Sequence, residues 1–189
     1  NGASHEWLSV NNYIEGYIED PEFARDFSNF YTEAKWTPLP WLAASTTAQV
    51  PILDDVLDFS ELNTQIYFMP TENFRFSVGH YYLNNHPFFR DSDLISLNTY
   101  SRLSDNWGFS TAHRFEADDQ TLEYQQYTIH RDLASWTGSL GTIIRDNRTG
   151  GQEFGVLLSL TLKAFPKVSL PVDFQPGSLG GDEPDPTGL

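Results

Sequence analysis

Acidic residues and histidines that could bind a divalent cation are the first candidates for chemistry, because oxygen and imidazole groups are ligands for such ions. Two clusters stand out: His86, Asp91 and Asp93 in one, and Asp54, Asp55 and Asp58 in the other. Neither cluster has the spacing of an EF-hand loop, whose ligands alternate over about twelve residues around an invariant glycine. We therefore interpret both clusters as solvated surface acids and predict no metal site.

The tetrapeptide His130-Arg131-Asp132-Leu133 matches the start of the protein-kinase catalytic loop. That loop needs an asparagine five residues after the aspartate, and Thr137 stands there. The sequence also has no DFG motif and no glycine-rich phosphate loop, so we interpret the tetrapeptide as a turn. His80 and His113 share their predicted strand faces with Phe and Val, so we interpret them as lipid-interface or packing residues. We find no catalytic constellation, so we predict a protein that is not an enzyme and needs no cofactor.

Polar side chains opposite the apolar positions of the predicted strands are the third group of candidates. They are Arg75, Asn98, Tyr100, Arg102, Arg114, Glu116 and Arg145. On a β-barrel wall these side chains would line the lumen, where arginine and glutamate could meet an anionic, sugar-rich ligand. The alternative role is a set of cross-strand salt bridges that only stabilise the wall.

The clearest of the strands that would position these groups runs from Glu153 to Phe165, EFGVLLSLTLKAF. Apolar residues alternate there with a period of two from Phe154 to Leu162, which indicates a β-strand with one apolar face. Its length of about ten residues is that of a strand crossing a bilayer. Alternation alone does not distinguish lipid from a protein core, so a soluble β-sandwich or a calycin-like binding module remains an alternative.

Similar alternating segments recur from Phe27 onward and are joined by turn sequences. They predict an all-β protein, an antiparallel up-and-down meander of about nine or ten strands that forms a curved part of a transmembrane β-barrel. Four aromatic residues each follow a short turn: Trp41, Phe74, Trp107 and Trp136, spaced 33, 33 and 29 residues apart. The connections at the other end are mostly longer and more polar. Short turns beside an aromatic ring are typical of outer-membrane barrels, so we predict that these residues lie at the membrane interface.

Composition restricts the partners of this 189-residue chain. Its net charge of −15 disfavours binding to nucleic acid, because the phosphate backbone is also negative. The chain has no cysteine, and no apolar run approaches the length of a transmembrane helix. Asn1–Ser9 lacks the features of a signal peptide, and we expect the chain to be a segment of a longer protein.

Three regions follow from these patterns. Residues 1–26 form an N-terminal strand or loop region whose pairing the sequence does not specify. Residues 27–165 form the barrel segment. Residues 166–189 are rich in Pro, Gly and acidic residues, and we expect this extension to be largely disordered. Pro171 argues against a central strand within it.

Three blocks of sequence resemble the C-terminal barrel of the lipopolysaccharide-assembly outer-membrane protein family. They are Trp36–Trp41, Arg102–Trp107 and Tyr127–Pro166. The resemblance extends over roughly residues 27–170. Glu153, Gly155, Leu158 and Leu160 also resemble the signal that barrel-insertion machinery recognises on a terminal strand, which would make this strand the closing one.

The resemblance implies a bacterial outer-membrane location and a role in moving lipopolysaccharide to the outer leaflet. It implies four kinds of partner: lipopolysaccharide and outer-membrane lipid, a lipoprotein that plugs the barrel, periplasmic bridge proteins, and the barrel-insertion machinery. Known members carry cysteines that tie the barrel to a preceding domain, and this chain has none. A general porin or channel barrel is the alternative within the membrane class.

Overall fold

The computed structural model of the protein describes residues 6–16, 27–52, 59–146 and 151–164, and the backbone of residues 169–174. These residues form strands, turns and loops without a helix. Strand formation follows from the sequence, because β-branched and aromatic residues alternate with polar ones along each strand.

The described residues contain eleven strands, which form one antiparallel sheet in which each strand pairs with its neighbours in sequence. They are β1 (Leu8–Tyr13), β2 (Phe30–Leu39), β3 (Leu42–Val50), β4 (Ser60–Thr71), β5 (Phe74–Asn84), β6 (Ser92–Ser104), β7 (Trp107–Glu116), β8 (Thr121–Asp132), β9 (Trp136–Asp146), β10 (Gln152–Leu162) and β11 (Ser169–Phe174). The predicted all-β meander is confirmed. The sheet has eleven strands where about nine or ten were predicted, and β11 is the additional one.

The two end strands come from regions whose pairing the sequence did not specify or that it predicted to be largely disordered. The N-terminal region, whose pairing was not predicted, supplies β1, which pairs with β2 from Leu8 opposite Trp36 to Tyr13 opposite Tyr31. The segment after residue 165 supplies β11, which pairs with β10. The prediction that β10 is the closing strand is therefore wrong, because β11 lies beyond it. Pro171 is compatible with β11 because this strand is at the edge of the described sheet, where a missing backbone N–H is tolerated. The predicted disorder after residue 174 falls outside the described residues.

The register places most apolar positions of β2 to β10 on one side. Residues directly opposite each other in neighbouring strands share a face. One such row crosses four strands through Phe109, Ile129, Leu140 and Leu158. We call the side that carries this row the apolar face. The other side, which we call the polar face, carries rows such as Arg75, Tyr100, Ser110, Thr128 and Gly141.

The described strands form a single layer. The backbones of two described strands come close to each other only where the strands are adjacent in sequence. The apolar side chains are accordingly exposed, with Phe154 at 60% and Leu140 at 53%, and Leu83 is the only buried large apolar side chain among the described residues. The two packed layers of a β-sandwich are not formed by this part of the chain.

The sheet curves toward its polar face. A cavity of about 940 Å³ lies at the end of the sheet that carries the β2–β3, β4–β5, β6–β7 and β8–β9 turns, which we call the turn end. Trp41 from the β2–β3 turn and Lys163 after β10 line this same cavity. In a flat sheet the seven strand spacings from β3 to β10 would separate them by about 33 Å. The polar face is therefore concave and the apolar face is convex.

Candidate functional site

Aromatic side chains form a row at the turn end. Trp41, Phe74, Trp107 and Trp136 all lie there and are 36% to 40% exposed. Trp36 adds a further exposed indole at this end. Trp41 packs edge-on against Phe68 at 5.4 Å between ring centroids, and the Arg131 guanidinium lies 4.6 Å from the centre of the Trp107 ring. These rings fit an environment that is apolar on one side and wet on the other. Their role at a membrane interface stays a prediction.

A second aromatic row lies at the opposite end of the sheet, which we call the loop end. This row was not predicted from the sequence. Its members on the apolar face are Phe30, Tyr82, Phe115 and Phe154. The signal was present in the sequence, since Phe74 and Tyr82, and likewise Trp107 and Phe115, are eight residues apart and so share a face. Eight residues span about 26 Å along a strand, or roughly 20 Å along the axis of a barrel with 40° strand tilt.

The predicted lumen-facing residues all lie on the polar face. They are Arg75, Asn98, Tyr100, Arg102, Arg114, Glu116 and Arg145. They form two groups. The group near the turn end contains Arg75, Tyr100 and Arg102, which line the cavity. Arg114, Glu116 and Arg145 lie toward the loop end, and Asn98 lies between the two groups, where its amide donates to Ser77 Oγ at 3.4 Å.

Arginine in these groups contacts tyrosine rings and backbone carbonyls. The Arg75 guanidinium lies 5.6 Å from the centre of the Tyr100 ring. Arg114 and Arg145 lie 5.2 and 5.9 Å from the centre of the Tyr124 ring. A cation–π contact of this kind holds the guanidinium over the face of the ring. The alternative role, cross-strand salt bridges that stabilise the wall, stays a prediction, and Glu153 lies directly opposite Arg145 on the neighbouring strand.

Arg102 and Glu116 have structural partners. Arg102 donates to the carbonyl oxygens of Ser104 and Asp105 at 3.2 and 2.8 Å, which fixes the β6–β7 turn. Glu116 is 1% exposed and accepts the backbone N–H of Asp93 at 2.5 Å and the hydroxyl of Ser92 at 2.7 Å. A buried carboxylate of this kind stabilises the start of β6 through charge-assisted hydrogen bonds.

His130 lies on the polar face between two serines. Its Nε2 is 2.8 Å from Ser110 Oγ and its Nδ1 is 2.8 Å from Ser139 Oγ, so the imidazole links β7, β8 and β9. The Tyr100 ring reaches across β7 to within 5.9 Å of His130. It can do so because Gly108 lies beneath it, where a Cβ atom would come within 2.8 Å of the tyrosine hydroxyl. The kinase-like tetrapeptide therefore contributes to a cross-strand hydrogen-bond network.

Asp132 is the last residue of β8 and lies beyond the aromatic row, next to the turns. Lys163 Nζ is 2.7 Å from its Oδ1 and bridges over β9. The hydrogen bond from Lys163 lowers the pKa of the Asp132 carboxyl below its ordinary value. This ion pair connects strands that are not hydrogen-bonded to each other, as the concave polar face allows.

Two histidines on the apolar face, His80 and His113, lie two residues from the loop-end aromatic row, on the side toward the middle of the sheet. His80 Nε2 is 2.7 Å from Asp93 Oδ1, and His113 Nε2 is 3.0 Å from the Tyr127 hydroxyl. The hydroxyls of Thr99 and Thr111 also pair on this face, at 2.8 Å. Each of these side chains has one partner on the neighbouring strand, which reduces the free-energy cost of placing it among apolar side chains, although His113 Nδ1 is buried without a hydrogen-bond partner.

The residues predicted to form an insertion signal lie on β10. Glu153 and Gly155 are on the polar face, and Leu158 and Leu160 are on the apolar face with 43% and 42% exposure. Recognition of this strand by insertion machinery stays a prediction.

The acids and histidine considered as metal ligands have separate partners. Asp91 Oδ1 accepts the backbone N–H of Asn85 at 2.7 Å, while Asp93 pairs with His80. Asp54, Asp55 and Asp58 lie outside the described residues. Within the described ranges, no group of three His, Asp or Glu side chains is arranged to hold a metal ion. The same ranges contain no helix long and apolar enough to cross a membrane.

Comparison with protein-family models, curated proteins and solved structures finds no match for this chain. The resemblance to lipopolysaccharide-assembly proteins therefore rests on the sequence blocks in which it was seen.

Proposed function

We propose that this chain is part of the wall of a transmembrane β-barrel in the bacterial outer membrane, and that the barrel moves lipopolysaccharide to the outer leaflet. The observation that carries the proposal is a single-layer sheet whose convex face is apolar and exposed between two aromatic rows. A soluble protein rarely leaves an apolar surface of this extent in water. Hydrocarbon between two headgroup regions is an environment that matches it.

The alternative of a soluble sandwich or calycin-like module fits this geometry less well. Its apolar faces would meet across about 10 Å. The backbones of the described strands approach only those of their sequence neighbours, and Phe154, Leu158 and Trp107 are exposed. A soluble role would need another body to cover the whole convex face.

The proposed cargo is supported by the concave polar face and by the sequence resemblance. Arg75, Arg114 and Arg145 hold guanidinium groups on tyrosine rings across this face. Guanidinium groups bind phosphate and carboxylate well, and both groups occur in anionic saccharides. By resemblance, the partners are a plug lipoprotein, periplasmic bridge proteins and barrel-insertion machinery, and the chain has no enzymatic activity.

The membrane assignment is tested by single-cysteine labelling, for which the cysteine-free chain is suited. Asn98→Cys places a thiol on the polar face and Leu97→Cys places one on the apolar face of the same strand. In proteoliposomes we expect a water-soluble maleimide to label position 98 and a lipid-soluble maleimide to label position 97. Equal labelling of both positions by the water-soluble reagent contradicts the proposal.

The cargo is tested by photo-crosslinking in cells. A photoreactive residue at Tyr100, on the polar face near the turn end, should crosslink to lipopolysaccharide. The control is the same residue at Trp136, also at the turn end but on the apolar face, where phospholipid of the inner leaflet is expected. Failure of Tyr100 to crosslink, together with passage of small sugars in liposome swelling, would favour the porin alternative.

A further inference from the structure

The loop between β5 and β6, residues 85–91, exposes two neighbouring phenylalanines at the loop end. Phe88 is 86% exposed and Phe89 is 66% exposed. Phe88 is the most exposed large apolar side chain among the residues that the structure describes. Isolated exposed apolar residues are ordinary on protein surfaces. Two adjacent exposed phenylalanines in a loop whose conformation is fixed by hydrogen bonds require a separate explanation.

His86 fixes the backbone that carries the two rings. Its Nδ1 accepts the backbone N–H groups of both Phe88 and Phe89, each at 3.1 Å. The imidazole ring packs against Phe59 at 4.5 Å and against Phe89 at 4.6 Å between ring centroids. The loop is thereby attached to the segment that precedes β4.

Both ends of the loop are closed by side chains. Asn85 adopts a left-handed backbone conformation with φ of 60°, and its N–H donates to Asp91 Oδ1 at 2.7 Å. Arg90 Nη2 lies 3.0 Å from each carboxylate oxygen of Asp119 and so connects the loop to the β7–β8 turn. Such contacts reduce the freedom of the loop to turn its phenyl rings back onto the protein.

We propose that this loop is an interfacial anchor that inserts Phe88 and Phe89 into the headgroup–acyl boundary of the leaflet at the loop end. The inference rests on the proposed barrel. The loop starts directly after β5, whose Tyr82 belongs to the loop-end aromatic row. That position is just outside the apolar band, at the depth where aromatic side chains bind membranes.

The basic residue beside the rings favours lipid over a protein partner as the occupant. Arg90 is 67% exposed in its side chain although it is held by Asp119. Exposed arginine next to phenylalanine is typical of interfacial segments, because the guanidinium interacts with anionic headgroups while the rings enter the acyl region. We commit to the lipid leaflet and treat a protein partner as an outcome that would overturn the inference.

The test uses nitroxide labels on single cysteines of the full chain in proteoliposomes containing anionic lipid. Phe88→Cys reports the proposed anchor, Asp118→Cys in the β7–β8 turn is the aqueous control, and Leu158→Cys on the apolar face is the membrane control. Accessibility to oxygen and to a water-soluble nickel complex is measured by power saturation. Heat-modifiable mobility verifies that each variant is folded.

We expect the label at position 88 to lose nickel accessibility and gain oxygen accessibility relative to position 118. A label at 88 that behaves like 118, or that neither reagent reaches, overturns the inference, because it then faces water or packs against protein. In both cases a lipid-like label at 158 leaves the barrel proposal intact. A water-accessible label at 158 contradicts the barrel itself. His86→Ala is expected to shift the label at 88 toward aqueous accessibility, and an unchanged label would exclude the role assigned to this histidine.

Discussion

The face of the sheet on which a side chain lies determines its environment more than its chemical type does. Leu158 and Ser159 are adjacent on β10 but belong to opposite faces, since Leu158 pairs with Leu140 and Ser159 pairs with Ser139. The same added charge should therefore have very different effects at the two positions.

Leu158→Arg is expected to destabilise the folded protein in a bilayer by about 2–4 kcal/mol, because it places a cation in hydrocarbon. Ser159→Arg, on the polar face of the same strand, is the matched control and should change stability much less. Urea unfolding in lipid vesicles, followed by tryptophan fluorescence, measures both variants. Equal destabilisation would mean that the apolar face does not meet lipid.

Glu116 supports a second residue-level prediction. Glu116→Ala removes the acceptor for the Asp93 N–H and the Ser92 hydroxyl, and leaves two partly buried donors without this partner. The expected loss is roughly 1–3 kcal/mol of unfolding free energy. Glu72→Ala in the exposed β4–β5 turn serves as the control. A loss at position 116 no greater than that at position 72 would show that this carboxylate does not stabilise β6.

Sequence patterns anticipated the strands better than the contacts between side chains. The alternation of apolar and polar residues from Phe27 to Leu162 was sufficient to predict the central strands, because a period of two fits few conformations other than a β-strand. The pairing of β1 was left open and β11 was not predicted as a strand, because the β1 segment is short and polar and the β11 segment contains proline. Pairings such as His130 with Ser110 and Ser139 were not predictable, because they depend on a register that relates residues on three strands.

A β-strand tolerates proline only at positions where the backbone N–H donates no hydrogen bond to a neighbouring strand. β9 is paired on both sides, and Thr142 lies opposite Tyr127 and Val156. Thr142→Pro removes a ladder hydrogen bond in the middle of the sheet, so we expect it to abolish the folded form. Thr142→Ser is the control for loss of the methyl group. Retention of heat-modifiable mobility by the proline variant would contradict the described pairing of β9.

At the scale of the whole molecule, the distance between the two aromatic rows sets the membrane thickness that the wall fits. The rows are separated by roughly 20 Å along the axis of a tilted barrel, which is short for an average bilayer. We expect the folded fraction to be larger in thin bilayers of short-chain lipids than in bilayers of long-chain lipids. Folding yields measured by gel mobility across a lipid series test this, and a maximum in thick bilayers would contradict it.

The sequential order of eleven strands restricts how the wall can be closed. β1 and β11 are both odd-numbered members of an alternating series, so both run from the turn end to the loop end. Joining them directly would create a parallel seam in an otherwise antiparallel wall. A closed wall that is antiparallel throughout therefore needs an odd number of strands in addition to these eleven. Hydrocarbon leaves no water for unpaired edge groups, so the rule applies to any barrel in which this sheet takes part.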